Sequence, residues 1–190
     1  HHLFDWTVAM SLSKIRSHLI PALFLLLPVV IFHGKILVWG WWICGGDLIN
    51  QFVPWREFAL NELSQGRFPG WNPFVFCGVP FAANIQTSLF YPFNLLHALF
   101  TTQTTFSYSL VFHQLLSALG MYLFLYKTIE HKGGAAAGAI IYSWSGFFIT
   151  HAHDGHLIHL RAYALIPFVL FFQTKFHETL RFKPLFIMAL

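Results

Sequence analysis

Five apolar runs, at residues 18–42, 106–126, 133–150, 157–174 and from 184 onward, decide what this chain can fold into. The first contains a 24-residue apolar stretch, 19–42, interrupted only by His33 and Lys35. As a helix it reaches about 36 Å, enough for a hydrocarbon core of about 30 Å. Trp39, Trp41 and Trp42 close it like an interfacial aromatic belt, Lys35 can snorkel to the same surface, and Pro21 and Pro28 are candidate kink points. Only 9% of the 190 residues are charged while 56% are hydrophobic. A water-soluble globule averages about 25% charged residues, so this chain cannot cover itself with polar surface. The expected fold is all-α, a polytopic transmembrane helix bundle.

Lysine and arginine set the expected orientation. Seven of the eleven basic residues, Lys14, Arg16, Lys127, Lys132, Lys175, Arg181 and Lys183, fall in three short segments, which are read as cytoplasmic. Residues 1–16 then form a cytoplasmic lead, and 17–190 the N-terminal part of one multi-pass domain in the cell membrane. The long segment 43–105 and the polar HAHDGH turn at 151–156 share the opposite, exoplasmic face. Asp47, Glu57, Glu62 and Asp154, four of the seven acidic residues, lie on that side. The scattered basic residues form no stripe, so no nucleic-acid partner is expected, and membrane lipid is. The third run opens GGAAAGA, with Gly134 and Gly138 at a spacing that suits close helix packing. The start before Met10 reads as upstream remnant and the end as a truncation. A cleavable signal peptide competes for residues 10–45, but no small-x-small cleavage site follows the apolar core.

Segment 46–92 is the one long stretch too polar for lipid. Residues 47–64 read as an amphipathic interfacial helix: Leu48, Phe52, Trp55, Phe58 and Leu63 recur near helical spacing, with Asn50, Gln51, Arg56, Glu57 and Asn61 between them. Gly66, Pro69, Gly70, Pro73, Gly78 and Pro80 then impose an ordered irregular loop. Residues 91–100 are a short apolar piece expected to lie at the interface. Cys44 and Cys77, both on the exoplasmic side, can form a disulfide if that compartment is oxidising.

The succession GDLINQFVPW and QGRFPGWNPFVFCGVPFAANIQTSLFYPFNLL resembles the first exoplasmic loop of the YfhO-like bacterial membrane proteins, among the GT-C type glycosyltransferases. The shared features are an Asp soon after the first span, a Pro-Trp in the following helix, a Gly-x-x-Pro-x-Trp-Asn-Pro turn, a Gly-x-Pro, and an Asn-x-Gln before Tyr-Pro. GHLIHLRAYALIPFVL resembles a later helix of the same family. The resemblance implies a GT-C-like bundle and a transferase that moves a sugar from a polyprenyl-phosphate-linked donor to a glycan or cell-envelope acceptor. It implies that Asp47 is the catalytic base or binds acceptor or metal. It places His153, Asp154 and His156 where a second acidic motif lies, without the Asp-x-Asp pair that would speak for metal dependence.

The residue chemistry is compatible and leaves alternatives open. Glycosyl transfer needs a base for the acceptor hydroxyl and positive charge for a departing phosphate. Asp47 either supplies the base or caps the helix that follows. Arg56 and Arg161 either hold phosphate or serve as ordinary surface and interfacial charges. Trp71 and Asn72 either bind sugar or anchor a turn; Asn84 and Gln86 either line a cleft or satisfy loop backbone. His153, Asp154 and His156 either ligate a divalent metal, the one candidate cofactor, or are the polar residues expected of an interfacial turn. His113 and Gln114, inside the second run, are read as packing or pathway residues. No P-loop, GxGxxG, zincin or nucleophile-elbow motif is present. The alternative to a transferase is a non-catalytic transporter or channel whose polar loop gates or binds a partner.

Overall fold

A computed structural model describes residues 12–179. The lead up to residue 11 and the fifth run from 184 lie outside the described residues. Seven helices follow in order: α1 (Leu12–Phe32), α2 (Gly34–Trp39), α3 (Val53–Ser64), α4 (Thr102–Ile129), α5 (Lys132–Ser143), α6 (Gly146–Asp154) and α7 (Leu157–Thr179). α4, and α7 over Leu157–Glu178, are long and apolar enough to cross a membrane.

α4 is the central element, packed along α7 on one side and α5 on the other, with α1 against α5 and α4. Small residues make the α4–α5 approach close. Ala135, Ala136 and Ala139 are buried there with Ala118 and Tyr122. A side chain on Gly138 would run into Leu125, whereas Gly134 faces the ring of His131. Tyr142 and Tyr163 stack at 4.2 Å, and each hydroxyl donates to the other's carbonyl, at 2.8 and 3.0 Å, tying α5 to α7.

Two of the expected spans are broken. The first run does not continue as one helix to Trp42: α1 passes through Pro21 and Pro28, stops at Phe32, and α2 ends at Gly40 in a left-handed conformation. At the break His33 turns inward, and its Nε2–H donates to Gln114 Oε1 at 2.5 Å. The third run is divided at Trp144, because Ser145 starts a new helix by accepting the amide of Phe148 at 3.3 Å.

HAHDGH is likewise not a free turn. Residues 151–154 are the last turn of α6, and Gly155, at φ +86°, ends it so that α7 begins two residues later. The result is a tight helix–helix corner.

Residues 47–64 are helical throughout, as a π-helical turn Leu48–Phe52 running into α3. Its inward face differs from the apolar pattern: Arg56 and Ala59 are buried, while Leu63 is exposed. The loop beyond contains a two-residue antiparallel pairing, β1 (Trp71–Asn72) with β2 (Val79–Pro80). Phe81 is buried against Phe58, ring to ring at 5.0 Å, and docks this hairpin on α3. Residues 91–100 form a short 3-10 helix, Pro92–Ala98.

Candidate functional site

The start of the polar loop and the α6–α7 corner meet backbone to backbone. A Cβ on Gly45 would lie 2.5 Å from the Asp154 carbonyl carbon, and one on Gly155 would lie 2.5 Å from Leu48 Cβ and 2.8 Å from its amide. Only glycine fits at either point. The segment is held from the other side by Ile43, whose amide donates to Ser107 Oγ of α4 at 3.1 Å.

This junction fixes Asp47. Its backbone is already helical and its carboxylate makes no cap hydrogen bond, so the capping alternative does not describe it. Instead His156 Nε2 lies 2.6 Å from Asp47 Oδ2, a contact between residues 109 positions apart. Oδ1 makes no hydrogen bond among the described residues and stays available to solvent.

His156 belongs to a second grouping. One ligand-capable nitrogen from each of His151, His156 and His159 lies within 4.8 Å of the others, His151 from the last turn of α6, His156 from the link and His159 from the first turn of α7. His153 and Asp154 are not part of it. They pair with each other at 3.1 Å, and the His153 side chain is 86% exposed.

Behind the junction, separated from it by Leu48 and Leu157, lies a crevice lined by Phe52, Trp55, Arg56, Thr87, Leu157 and Arg161. Arg56 is 7% exposed and Arg161 5%. Arg56 Nη2 donates to the Thr87 carbonyl at 2.8 Å, but its Nε has no acceptor. Arg161 lies 4.7 Å over the Tyr91 ring and its Nε donates to Ser109 Oγ at 3.3 Å, leaving Nη2 without an acceptor.

Tyr91 is itself fixed. His113 Nδ1 donates to the Ser109 carbonyl at 2.6 Å, so its Nε2 accepts the Tyr91 hydroxyl at 2.5 Å. Among the described residues neither arginine forms an ion pair. Burial pushes Arg56 down to about 10. His97, buried with both ring nitrogens unpartnered, is driven down to about 4 by burial and then by the charges of Arg56 and Arg161. The space between the arginines is about 10 Å³, room for about one water.

The remaining loop residues divide. Asn72 is 2% exposed and its Oδ1 accepts the amide of Phe74 at 2.9 Å; Asn84 Oδ1 accepts the amide of Gln86 at 3.0 Å. Both shape turns. Gln86 Oε1 accepts from Gln51 Nε2 at 3.3 Å beside the crevice. Trp71 is exposed, and its ring lies so close over Gly78 that a Cβ there would sit 2.7 Å from it. Cys44 and Cys77 are both free and exposed, so no disulfide joins them.

A second recess of about 360 Å³ opens between the α1–α2 break, α4 and α6. Phe32, Ile36, Leu110 and Phe148 line it, with His33, Cys44, Gln114 and His153 as its polar members.

The sequence patterns do not group His97 with the arginines, and for a metal they single out His153, Asp154 and His156 rather than His151, His156 and His159. The first grouping joins residues far apart in the chain and has no sequence signal. The second was visible as spacing, since residues 151, 156 and 159 flank a glycine that can fold one helix back on the next.

No protein-family model, no curated protein and no solved structure matches this chain.

Proposed function

We propose that this chain is part of an integral membrane glycosyltransferase of GT-C type, YfhO-like, which transfers a sugar from a polyprenyl-phosphate donor to a cell-envelope acceptor at the outer membrane face. The observation that carries the proposal is the pair of buried arginines without a carboxylate partner among the described residues. Burying a cation costs several kcal/mol unless an opposite charge or a full set of acceptors offsets it. Arg56 and Arg161 share one crevice and repel each other, and each keeps a nitrogen without an acceptor. The missing partner is an anion, and a lipid phosphate at a membrane surface is the anion the resemblance calls for.

In this reading the N-terminal lead is cytoplasmic, and the 43–105 segment and the α6–α7 corner face outward. Their direct contact supports placing them on one side. The belt of exposed Leu23, Phe24, Leu27, Ile31, Trp39 and Trp42 on α1, α2 and just beyond suits lipid or further helices, not water.

Transfer then runs as a single displacement. The acceptor hydroxyl gives its proton to Asp47 Oδ1 as its oxygen bonds to the anomeric carbon. The bond from that carbon to the phosphate oxygen breaks, and the electron pair leaves with the phosphate, whose charge the two guanidinium groups neutralise. The crevice, with room for about one water, must widen to admit the phosphate. The apolar recess beside α4 suits a prenyl chain.

Full-length protein in proteoliposomes tests this. Asp47→Asn is expected to lower transfer by about 10²- to 10⁴-fold while expression, insertion and binding of polyprenyl phosphate persist. Arg161→Met should lose the binding itself. Unimpaired transfer by Asp47→Asn removes Asp47 from the mechanism.

A further inference from the structure

The α6–α7 corner carries a chemistry that sugar transfer does not need. We propose that His151, His156 and His159 form a three-histidine site for a divalent transition metal, zinc foremost, with Asp47 as the carboxylate behind His156.

The nitrogens already converge. Tetrahedral zinc, with Zn–N of about 2.0–2.1 Å, holds its nitrogen ligands about 3.3–3.4 Å apart. Here the three ligand atoms lie within 4.8 Å of one another, so they must close by at most about 1.5 Å to reach that spacing. The rings pack as a triangle with centroids 5.1, 5.4 and 5.5 Å apart. Imidazole is the ligand type that zinc, copper, nickel and iron share, whereas calcium and magnesium prefer oxygen. An all-nitrogen set therefore selects the transition metals.

The tautomers of two of the three histidines are set by hydrogen bonds. His151 Nδ1 lies 2.9 Å from the Phe147 carbonyl, which can only accept, so the proton is on Nδ1 and Nε2 is the lone-pair nitrogen. His156 Nε2 donates to the Asp47 carboxylate at 2.6 Å, which leaves Nδ1 as its lone pair. A ligating histidine whose second nitrogen donates to a carbonyl or carboxylate is the usual outer-sphere arrangement of a metal site, because that bond fixes the tautomer and raises ligand basicity. The His159 ring makes no hydrogen bond among the described residues, its backbone amide alone donating, to the His156 carbonyl at 3.1 Å, so the ring is free to turn toward the others. Phe147, stacked on His151 at 4.1 Å, walls one side.

The site joins two helices and the loop through one ion. With three protein ligands the fourth position is open to water or to a ligand oxygen. Metal on His156 Nδ1 would strengthen the Nε2–H donor to Asp47 and so orient the carboxylate. Glycine at 45 and 155 makes this possible by letting the two backbones touch. The proposal stands on the cluster alone and not on the transferase reading.

The experiment is zinc and cobalt(II) binding by purified full-length protein, with metal content measured after dialysis and the visible cobalt spectrum recorded. The expected result is one metal per chain and cobalt bands of tetrahedral intensity. His159→Ala, at an exposed position outside the packed core, should weaken binding at least tenfold and abolish the bands. Asp47→Asn should weaken it about 10- to 100-fold with the bands retained. His153→Ala should bind as the parent does.

Equal loss in His153→Ala, or binding unchanged in His159→Ala, overturns the assignment, as does the absence of stoichiometric metal in the folded parent protein. Polyprenyl-phosphate binding, followed in the same variants, separates the two readings: Arg161→Met should lose it and keep zinc, and His159→Ala should do the reverse.

Discussion

The Asp47–His156 junction and the Arg56–Arg161 crevice are neighbours built on opposite principles. The junction is held by backbone fit: two glycines let the chain segments touch, and the polar side chains at its rim are half in water and mutually satisfied. The crevice is held by side chains, with aromatic and aliphatic groups closing over two cations that no acid among the described residues answers. Placement at the junction is therefore rigid and its electrostatics cheap. In the crevice the electrostatics are costly, and the unanswered charge is what makes it a site.

The strongest way to break this contrast is at Gly155. Alanine there meets Leu48 at 2.5 Å and must also hold φ near +86°. Left-handed strain and overpacking together are expected to cost about 3 kcal/mol or more. The solubilised protein should melt markedly lower and lose the Asp47–His156 contact. Gly46→Ala is the control, since nothing lies within 4 Å of its added methyl. If both variants melt alike, the backbone contact is not what holds the junction.

A smaller effect of opposite sign is expected in the crevice. Arg161→Met keeps the apolar stem and removes a buried, unpaired charge together with its repulsion of Arg56. Replacement of buried charge by an apolar side chain of similar volume is commonly neutral or stabilising, by about 1–4 kcal/mol. The thermal midpoint without added ligand should hold or rise. A fall of more than a few degrees would show that Tyr91 and Ser109 already satisfy the guanidinium, and that no anion is missing.

The same contrast explains what the sequence could and could not disclose. The helices α4 and α7 were legible, because apolar runs at 106–126 and 157–174, closed by Lys127–Glu130 and by the basic stretch from Lys175, leave few alternatives. The breaks at His33 and Ser145 were not. Each depends on where one side chain finds its partner, and His33 is committed to Gln114, 81 positions away.

Arg56 shows the limit most clearly. Helical periodicity assigns an arginine to the polar face, yet its acceptor is a carbonyl 31 residues further on, so the inward face carries a charge that no pattern marks. The chain's opposite-end charge count brought Asp47 and residues 151–156 to one side. It could not say that His156, rather than Asp154, would be the residue in contact.

The last and smallest test is acid. His97 is held near 4, below the ordinary 6.5, so its neutral form is the one the fold accommodates. The unfolded chain takes up a proton near pH 6.5 and the folded protein does not, so this contribution is complete above about pH 6.5 and is lost as pH falls toward 4. Because solvent screens part of the shift, the loss at pH 5 is expected to be no more than about 1–2 kcal/mol.

Arg56 and Arg161 are part of the cause, which gives the test its discrimination. Arg161→Met should make the thermal midpoint less sensitive to pH between 7 and 5, and His97→Gln should flatten it further. If Arg161→Met leaves the pH response unchanged, the three groups do not share one field, and the crevice is ordinary packing around separate charges.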